Sequence, residues 1–229
     1  MINTRLRVFE QAEYERVLYF DNDVLLQQHL DELFLLPSAA VAMPRRYWSD
    51  LPHWDWPLSG TIMLVEPNAA ETRTLWERLQ VWRLSPDRAN DKTYDEDLLD
   101  DRFGSSALVL PHRPYLLQTS EFRQRDHDGY MGLFGAPPNQ ATWNPYHERD
   151  KAKLIHFSDW PLPKPWRAWH PDALAEIQPN CGSSDTCGER DVWMKLYEEF
   201  RQRRRDICKI LPVPAPVDWL EYKEIVGAE

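Results

Sequence analysis

The sequence predicts an α/β domain, because short apolar runs of strand character alternate with helical segments. Several of these runs are almost wholly apolar, as strands buried in a sheet are. The predicted strands are residues 16–20, 39–43, 61–65, 107–110 and 153–157. The chain of 229 residues is long enough for one such domain with an extension.

Two helices complete the pattern. The first is predicted over residues 70–84, where apolar side chains recur on one face: Leu75, Trp76, Leu79 and Trp82. The second is predicted to start near Asp191, which can cap it, with an apolar stripe of Trp193, Leu196, Tyr197 and Phe200. Arg201–Arg205 lie towards its C-terminal end, where cations complement the helix dipole, and we expect them to be solvated.

The composition excludes several classes of protein. The net charge is −10, whereas a generic binder of nucleic acid or of an anionic membrane needs a surplus of lysine and arginine. Only 8 glycines are present and no two form G-x-G, which excludes the dinucleotide fingerprint and the P-loop. No apolar run of membrane-spanning length occurs, so we expect neither a signal peptide nor a membrane anchor in this chain.

The three cysteines leave two interpretations open. Cys181 and Cys187 are close enough in sequence to form a small disulfide loop in an oxidising compartment, or they are two thiols in a reducing one. Cys208 is left over. A zinc site is not indicated, because no nearby histidine supplies the further ligands it needs.

A D-x-D pattern follows the first predicted strand. Asp21 and Asp23 come directly after an apolar run, at the kind of strand end where open α/β sheets bind ligands. In an extended segment the two side chains point to the same side, so both can face one hard cation such as Mg²⁺ or Mn²⁺. An ordinary turn rich in aspartate and asparagine is the alternative.

Two later segments carry further polar candidates. The run YDEDLLDD places five acids within seven residues before the fourth strand, and some of them are expected at a helix start. His156 stands among apolar neighbours on the fifth strand, and Lys164 follows in a Pro-Lys-Pro frame. A lone strand histidine is more often a core residue, but with two aspartates it completes a plausible cation site, and a lysine offers a charge to phosphates.

Four ordered segments resemble family 8 of the retaining glycosyltransferases, the glycogenin-like enzymes with a GT-A fold. They cover most of residues 5–170: RVLYFDNDVLLQQHLDELF, LSGTIMLVEPN, YDEDLLDDRFG and KLIHFSDWPLPKPW. The segments AMPRRYW, LVLPHRPY and HFSDWPLPKPW, with the C-terminal helix that carries Cys and Trp, look most similar to the fungal N-acetylglucosaminyltransferase branch, often labelled glucose N-acetyltransferase. The resemblance implies a GT-A domain over 1–170, lacking its first strands, followed by a C-terminal extension over 171–229 with a cysteine loop, a helix and a Pro-rich tail.

The resemblance also implies roles for individual residues. The metal ligands would be Asp21, Asp23 and His156, with Mn²⁺ or Mg²⁺ bound. Lys164 would contact the diphosphate of a UDP-sugar, and Asp95 and Glu96 would lie at the catalytic face. The implied partners are a nucleotide sugar and a glycan acceptor, not nucleic acid. The implied location is the Golgi, as a type II membrane protein, although this chain carries no anchor.

The chain departs from the family pattern at three places. Leu58-Ser59-Gly60 replaces a segment that starts with asparagine in many members, so an amide contact to the sugar is missing. The glutamine that follows the catalytic-face aspartate is Glu96 here, and the family asparagine is Asp100. These changes bear on the catalytic face and leave the metal motif intact.

Other functions fit parts of the sequence. Only 20 residues precede Asp21, fewer than the nucleotide-binding βα units of a GT-A fold require, so an inactive remnant that binds metal or glycan is one alternative. A haloacid-dehalogenase-type phosphatase also places two aspartates after an apolar strand, but residues 61–66 lack the Ser or Thr it needs at the end of a second strand. The aromatic loop over 47–56 offers stacking faces for an acceptor sugar, or it covers a core edge.

Overall fold

The computed structural model describes residues 5–84, 95–133, 142–159, 162 and 164–214. Its strands are β1 Val17–Phe20, β2 Val24–Leu26, β3 Val41–Pro44, β4 Ile62–Val65, β5 Leu108–Leu110, β6 Leu117–Gln118 and β7 Leu154–His156. Its α-helices are α1 Ala69–Leu84, α2 Asp95–Phe103, α3 His112–Tyr115, α4 Asp128–Met131, α5 Pro145–Lys151, α6 Pro171–Ile177 and α7 Gly188–Cys208.

Internal contacts divide the chain into two compact units. The first unit comprises Met1–Asn22 and Gln28–Leu116, and the second comprises Asp23–Gln27 and Leu117–Glu229. The short segment that includes β2 therefore belongs with the C-terminal half of the chain. The predicted domain boundary near residue 170 stays a prediction.

The first unit is built on a four-stranded sheet with the order β1-β4-β3-β5. β4 pairs antiparallel with both β1 and β3, while β3 and β5 run parallel. All residues of β3 and β4 are buried, because one face carries the core cluster and the other is also covered. Against this core α1 packs Leu75 and Leu79, with Trp76 and Trp82 at its edge, which confirms the predicted apolar face.

The second unit is built on a three-stranded sheet with the order β2-β7-β6. β7 lies in the middle, antiparallel to β2 and parallel to β6. The long helix α7 buries Trp193, Leu196 and Tyr197, and Phe200 packs at 5.1 Å from the Phe157 ring. The predicted apolar stripe of this helix is therefore confirmed.

Several local predictions need correction. Each of the five predicted strands is found within a residue or two of its expected ends, but β2 and β6 were not predicted. Their short length gives too little alternation to detect. Asn22 and Asp23 form a turn, so the predicted extended geometry of the D-x-D segment is wrong.

The start of α7 also differs from the prediction. This helix begins at Gly188 after an N-cap at Cys187, so Asp191 lies inside the first turn, where it pairs with Lys195 at 2.8 Å. The expectation of a fully solvated arginine run is wrong in part, because Arg201 and Arg204 donate to main-chain carbonyls. A disulfide joins Cys181 and Cys187, and Cys208 is exposed. The predicted Pro-rich tail lies outside the described residues from 215 onward.

Candidate functional site

Three predicted site residues of the second unit come together around a buried carboxylate. Asp23 is only 7% exposed. His156 Nε2 lies 3.4 Å from Asp23 Oδ2, and Lys164 Nζ donates to the same oxygen. An imidazole, an ammonium and a carboxylate thus converge from segments far apart in the chain.

Sheet pairing fixes two of these residues in register. Val24 of β2 lies opposite His156 at the end of β7, and the Phe157 amide donates to the Asp23 carbonyl at 2.9 Å. The backbone at Asp23 therefore continues the β2–β7 ladder by one further bond. This pairing holds the Asp23 and His156 side chains at the same end of the sheet.

The donor set of Asp23 and His156 fits a divalent cation. Among the described residues, the buried Nδ1 of His156 has no hydrogen-bond partner, while Nε2 faces the Asp23 carboxylate. A carboxylate oxygen and an imidazole nitrogen are ligands that Mn²⁺ accepts, and carboxylates also suit Mg²⁺. In this structure the Asp23 carboxylate forms an ion pair with the Lys164 ammonium.

The charge state of Asp23 follows from its neighbours. Burial disfavours its ionised form, but the hydrogen bond and charge of His156 and the charge of Lys164 outweigh that effect and hold the pKa of Asp23 well below its ordinary value. Lys164 is about half exposed and also donates to the Phe157 carbonyl at 3.1 Å. Asp23 is therefore an anion that already attracts cationic groups.

The first unit holds a second cluster around Arg5. The Arg5 guanidinium donates to both oxygens of Asp21, at 3.1 and 3.0 Å, and to Asp95 Oδ1 at 2.9 Å. Glu96 lies at 3.5 Å, and the Tyr19 hydroxyl donates to Asp21 Oδ1 at 2.8 Å. The predicted ligand Asp21 and the predicted catalytic pair Asp95 and Glu96 thus share one cation.

Burial and charge set the pKa values in this cluster. Burial opposes the charge on Arg5, but the three carboxylates outweigh it and raise the pKa of Arg5 above its ordinary value. Burial raises the pKa of Asp95, with Arg5 opposing that rise. Burial and the nearby Asp21 charge raise the pKa of Tyr19 to about 12, so Tyr19 keeps its proton and remains a donor.

The departures Glu96 and Asp100 have structural partners in the segment 58–60. Glu96 Oε1 accepts from the Gly60 amide at 2.8 Å, and Asp100 Oδ1 accepts from the Leu58 amide at 2.8 Å. A side-chain oxygen is needed for either bond. Both acids therefore position the main chain of segment 58–60 beside Arg5.

The aromatic loop is split between covering and exposed rings. Tyr47 and Trp56 are buried, and the Trp56 indole donates to the Leu51 carbonyl at 3.1 Å. Trp54 is 75% exposed and contacts the His53 ring at a centroid distance of 4.9 Å. The two ends of this loop therefore cover a core edge, whereas residues 50–55, with Trp54 among them, are exposed.

Sequence reasoning missed two residues that organise these clusters. Arg5 gave no signal, because its partners are 16 and 90 positions away. Asp159 was passed over between His156 and Lys164, yet its carboxylate is fully buried and accepts bonds from Trp193 at 2.9 Å and Tyr197 at 2.7 Å. An aspartate among aromatic residues was the only available sign of a buried carboxylate.

Comparison with solved structures defines the class of fold. The chain has the mixed α/β architecture of GT-A-type glycosyltransferases. Its structure is similar to that of the glycosyltransferase GlyE of Streptococcus pneumoniae, with a TM-score of 0.53 and 15% sequence identity, over 100% of this chain and 46% of that one. The predicted fold class is thereby confirmed.

Sequence comparison identifies particular relatives. The chain is 43% identical over 215 residues to Glucose N-acetyltransferase 1 of Aspergillus fumigatus, covering 90% of this chain and 54% of that protein. It is 39% identical over 210 residues to the protein of the same name in Gibberella zeae, covering 90% and 43%. The chain thus spans about half the length of these curated relatives. No family model matches it.

Proposed function

We propose that this chain carries the metal-binding and diphosphate-binding side of a retaining glycosyltransferase of family 8. The reaction is transfer of a sugar, N-acetylglucosamine, from a UDP-sugar to a glycan acceptor. The observation that carries the proposal is the buried Asp23 carboxylate held between His156 and Lys164. The GT-A-type fold and the relatives named Glucose N-acetyltransferase 1 support it.

We assign two metal ligands of the second unit, Asp23 and His156, and the resemblance to family 8 implies Asp21 as a third. Asp23 and His156 already offer an oxygen and a nitrogen close together, and Asp21 lies two residues before Asp23 in the chain. A divalent cation, Mn²⁺ or Mg²⁺, supplies Lewis-acid neutralisation of the negative charge on the departing nucleoside diphosphate. Asp23 contributes an ionised ligand, because His156 and Lys164 hold its pKa well below its ordinary value despite burial.

Lys164 acts as the diphosphate contact in this proposal. Its ammonium is half exposed, and among the described residues it donates to Asp23 and to the Phe157 carbonyl. An ammonium has three N–H donors, so one can point towards an incoming phosphate oxygen. An ammonium beside the diphosphate neutralises its negative charge both in the bound donor and in the departing group. The same side chain thus binds and activates.

Asp95 and Glu96 form the catalytic face in this proposal. A carboxylate close to the anomeric centre stabilises the positive charge of an oxocarbenium-like transition state. Arg5 holds Asp95 at 2.9 Å, and its charge opposes the rise that burial causes in the pKa of Asp95. Glu96 also bonds Gly60, so it holds the main chain beside Asp95 as well as carrying charge.

Trp54 is the proposed acceptor platform. Its exposed indole offers an apolar face of the kind on which sugar rings stack. The loop is linked to the catalytic face, because Arg46 donates to the Leu58 carbonyl at 2.8 Å and pairs with Asp97 at 3.2 Å on α2. An acceptor sugar on Trp54 would therefore lie on the unit that carries Asp95.

The proposed location is the Golgi lumen. The Cys181–Cys187 disulfide supports an oxidising compartment. Within the part of the chain that the structure describes, none of the helices is long and apolar enough to cross a membrane.

Calorimetry with Mn²⁺ and a panel of UDP-sugars tests the proposal. We expect metal-dependent binding, with UDP-N-acetylglucosamine among the sugars bound and turned over. Binding of no UDP-sugar in the presence of metal would contradict the proposed function. A phosphatase assay on the same preparation tests the haloacid-dehalogenase alternative, which the GT-A-type fold does not favour.

A second candidate is a binding module without turnover. It is favoured by one observation, that Arg5 occupies both oxygens of the proposed ligand Asp21. Metal and UDP binding without transfer to any acceptor, and without hydrolysis of the donor, would select this candidate over the enzyme.

A further inference from the structure

One face of α7 lies against the segment that carries Lys164. Trp193, Tyr197 and Arg201 are spaced four residues apart, so they line one face of the helix. Each contacts the chain that follows β7, and all of these contacts lie within the second unit. Over two turns, the helix therefore contacts the segment of the candidate site that carries Lys164.

The first set of contacts is with Asp159, three residues after His156. Its side chain is 0% exposed, and Oδ2 accepts from the Trp193 indole at 2.9 Å and the Tyr197 hydroxyl at 2.7 Å. Arg123 pairs with Oδ1 at 3.3 Å. Burial and the Asp159 charge raise the pKa of Tyr197 well above its ordinary value, so the hydroxyl remains a donor. The carboxylate is thus held by three donors.

The second set of contacts is with the main chain directly after Lys164. Arg201 Nε donates to the Pro165 carbonyl at 3.1 Å, and Nη2 donates to the Arg167 carbonyl at 3.0 Å. The Arg167 amide in turn donates to the Lys164 carbonyl at 2.9 Å. One guanidinium therefore fixes the turn on which the lysine stands.

Aromatic packing links the contacts at Asp159 with those made by Arg201. The Trp169 ring stacks on Trp193 at 5.0 Å and meets Tyr197 at 4.3 Å, while the Arg201 guanidinium lies over Trp169 at 4.3 Å. Phe157, whose carbonyl accepts from Lys164, packs on Tyr197 at 4.7 Å. The contacts on both sides of Lys164 thus share one helix face.

We infer that α7 is a positioning element for Lys164, acting through Asp159 and Arg201. A long lysine side chain loses much rotamer freedom when it binds a phosphate, and a fixed main chain reduces what remains to be ordered. Burying a carboxylate for packing alone gains little over an apolar residue. The inference rests on the proposed function, because that function makes Lys164 the contact to the diphosphate of the donor.

Two variants in the full 229-residue chain test it. Tyr197→Phe removes one donor to Asp159 and keeps the ring, and Arg201→Met removes both carbonyl contacts. Arg205→Met is the matched control, because Arg205 lies on the same helix and pairs with the exposed Asp206. Arg201→Lys is the conservative variant, and it should partly restore the wild-type behaviour.

The primary measurement is the rate of amine labelling at Lys164, by mass spectrometry, relative to the exposed Lys151. We expect Tyr197→Phe and Arg201→Met to raise this ratio about threefold or more, since Lys164 loses its fixed frame. UDP affinity measured with Mn²⁺ should fall about tenfold, a size typical of residues that orient a ligand. The effect should be on KM more than on kcat. Arg205→Met should change neither quantity.

The outcomes separate the inference from the proposed function. An unchanged Lys164 ratio in variants with native circular dichroism overturns the inference. If Arg201→Met does not fold, the milder Tyr197→Phe decides. Failure of the wild-type chain to bind UDP overturns the proposed function, and with it the role of Lys164 that the inference assumes. A raised labelling ratio in the variants would still support the positioning of Lys164 by α7.

Discussion

Arg5 holds Asp21 through both carboxylate oxygens, at 3.1 and 3.0 Å. A bidentate pair of this kind fixes orientation as well as charge. The same guanidinium reaches Asp95, so a proposed metal ligand and a proposed catalytic residue are linked by one side chain. Asp21 is therefore positioned before any ligand arrives.

Removing Arg5 should destabilise the protein. In Arg5→Met the Asp21, Asp95 and Glu96 carboxylates face one another without their cation, at a cost of about 2–4 kcal/mol in the free energy of unfolding. Urea titration at pH 7 measures this loss. The exposed Arg7, which pairs with Glu10 at 3.1 Å, supplies the control Arg7→Met, for which we expect almost no change.

The same variant has a definite pH dependence. Burial already raises the pKa of Asp95, and loss of Arg5 should raise it further. If folding raises the pKa of a carboxyl group, that group stabilises the fold at a pH below its pKa in the unfolded chain. This stabilisation is lost as the pH rises through its pKa in the folded protein. The stability deficit of Arg5→Met should therefore be largest at pH 7 and shrink towards pH 4. A deficit that grows on acidification would contradict this account.

Gly60→Ala should disturb the Arg5 cluster without touching any charge. A Cβ at this position would lie 2.9 Å from Arg5 Nη1 and 3.0 Å from its Cδ, and three carboxylates prevent the guanidinium from moving aside. We expect a loss of about 1–3 kcal/mol, the usual cost of overpacking. In an Arg5→Met background the loss should be clearly smaller, which a double-mutant cycle measures. Additive losses would show that the two sites are independent.

Asp23→Ala should abolish metal-dependent turnover of a sugar nucleotide while the fold is kept. The side chain is the ionised ligand of the proposed site, and partners that only orient a metal ligand are already worth about 10–100-fold in affinity. Calorimetry with Mn²⁺ measures the loss directly. Asp172→Ala, at an exposed position on α6, serves as the control. Unchanged turnover in Asp23→Ala would remove the metal assignment.

Lys164→Ala should mainly weaken binding of the diphosphate. One charge-assisted hydrogen bond contributes about 1.5–3 kcal/mol, which corresponds to roughly 10–100-fold in the Kd for UDP. The loss should diminish at high salt, because the contact is partly exposed. Lys195→Ala removes an exposed ammonium from α7 and should leave the Kd unchanged. An unaltered affinity in Lys164→Ala would exclude this lysine from the site.

Trp54→Ala should raise the KM for the acceptor and leave the Kd for UDP unchanged. Loss of one stacking face is expected to cost about 1 kcal/mol, or roughly fivefold in KM. Leu51→Ala, an exposed apolar change in the same loop, is the control for general loosening. Equal effects of the two variants would indicate that the loop only covers the core.

The sequence was sufficient where the physics is local. Five strands and the apolar faces of α1 and α7 follow from period and length, and the structure contains them. The acidic start of α2 was also predictable, because Asp95, Glu96 and Asp97 favour the positive end of a helix dipole. His156 and Lys164 stood out as single polar residues among apolar and proline neighbours, and the resemblance to a known family implied their roles.

The sequence was insufficient where partners are distant. The Arg5 cluster joins residues 16 and 90 positions apart, and no local pattern marks such a meeting. The D-x-D segment was expected to be extended, yet the chain turns at Asn22 and Asp23. Glu96 and Asp100 appeared as departures from a family pattern, whereas their bonds to Gly60 and Leu58 show what the changed side chains hold.

The assignment of β2 to the second unit has a consequence for biosynthesis. Asp23 and Lys164 are 141 positions apart, so a ribosome releases the aspartate long before its cationic partner exists. β7 is the central strand of its sheet, and a fragment that starts at residue 117 would present it with one edge bare and prone to pair with other chains. Neither unit is a continuous stretch of polypeptide. Expression trials on this protein should therefore keep both units on one chain and rely on point substitutions.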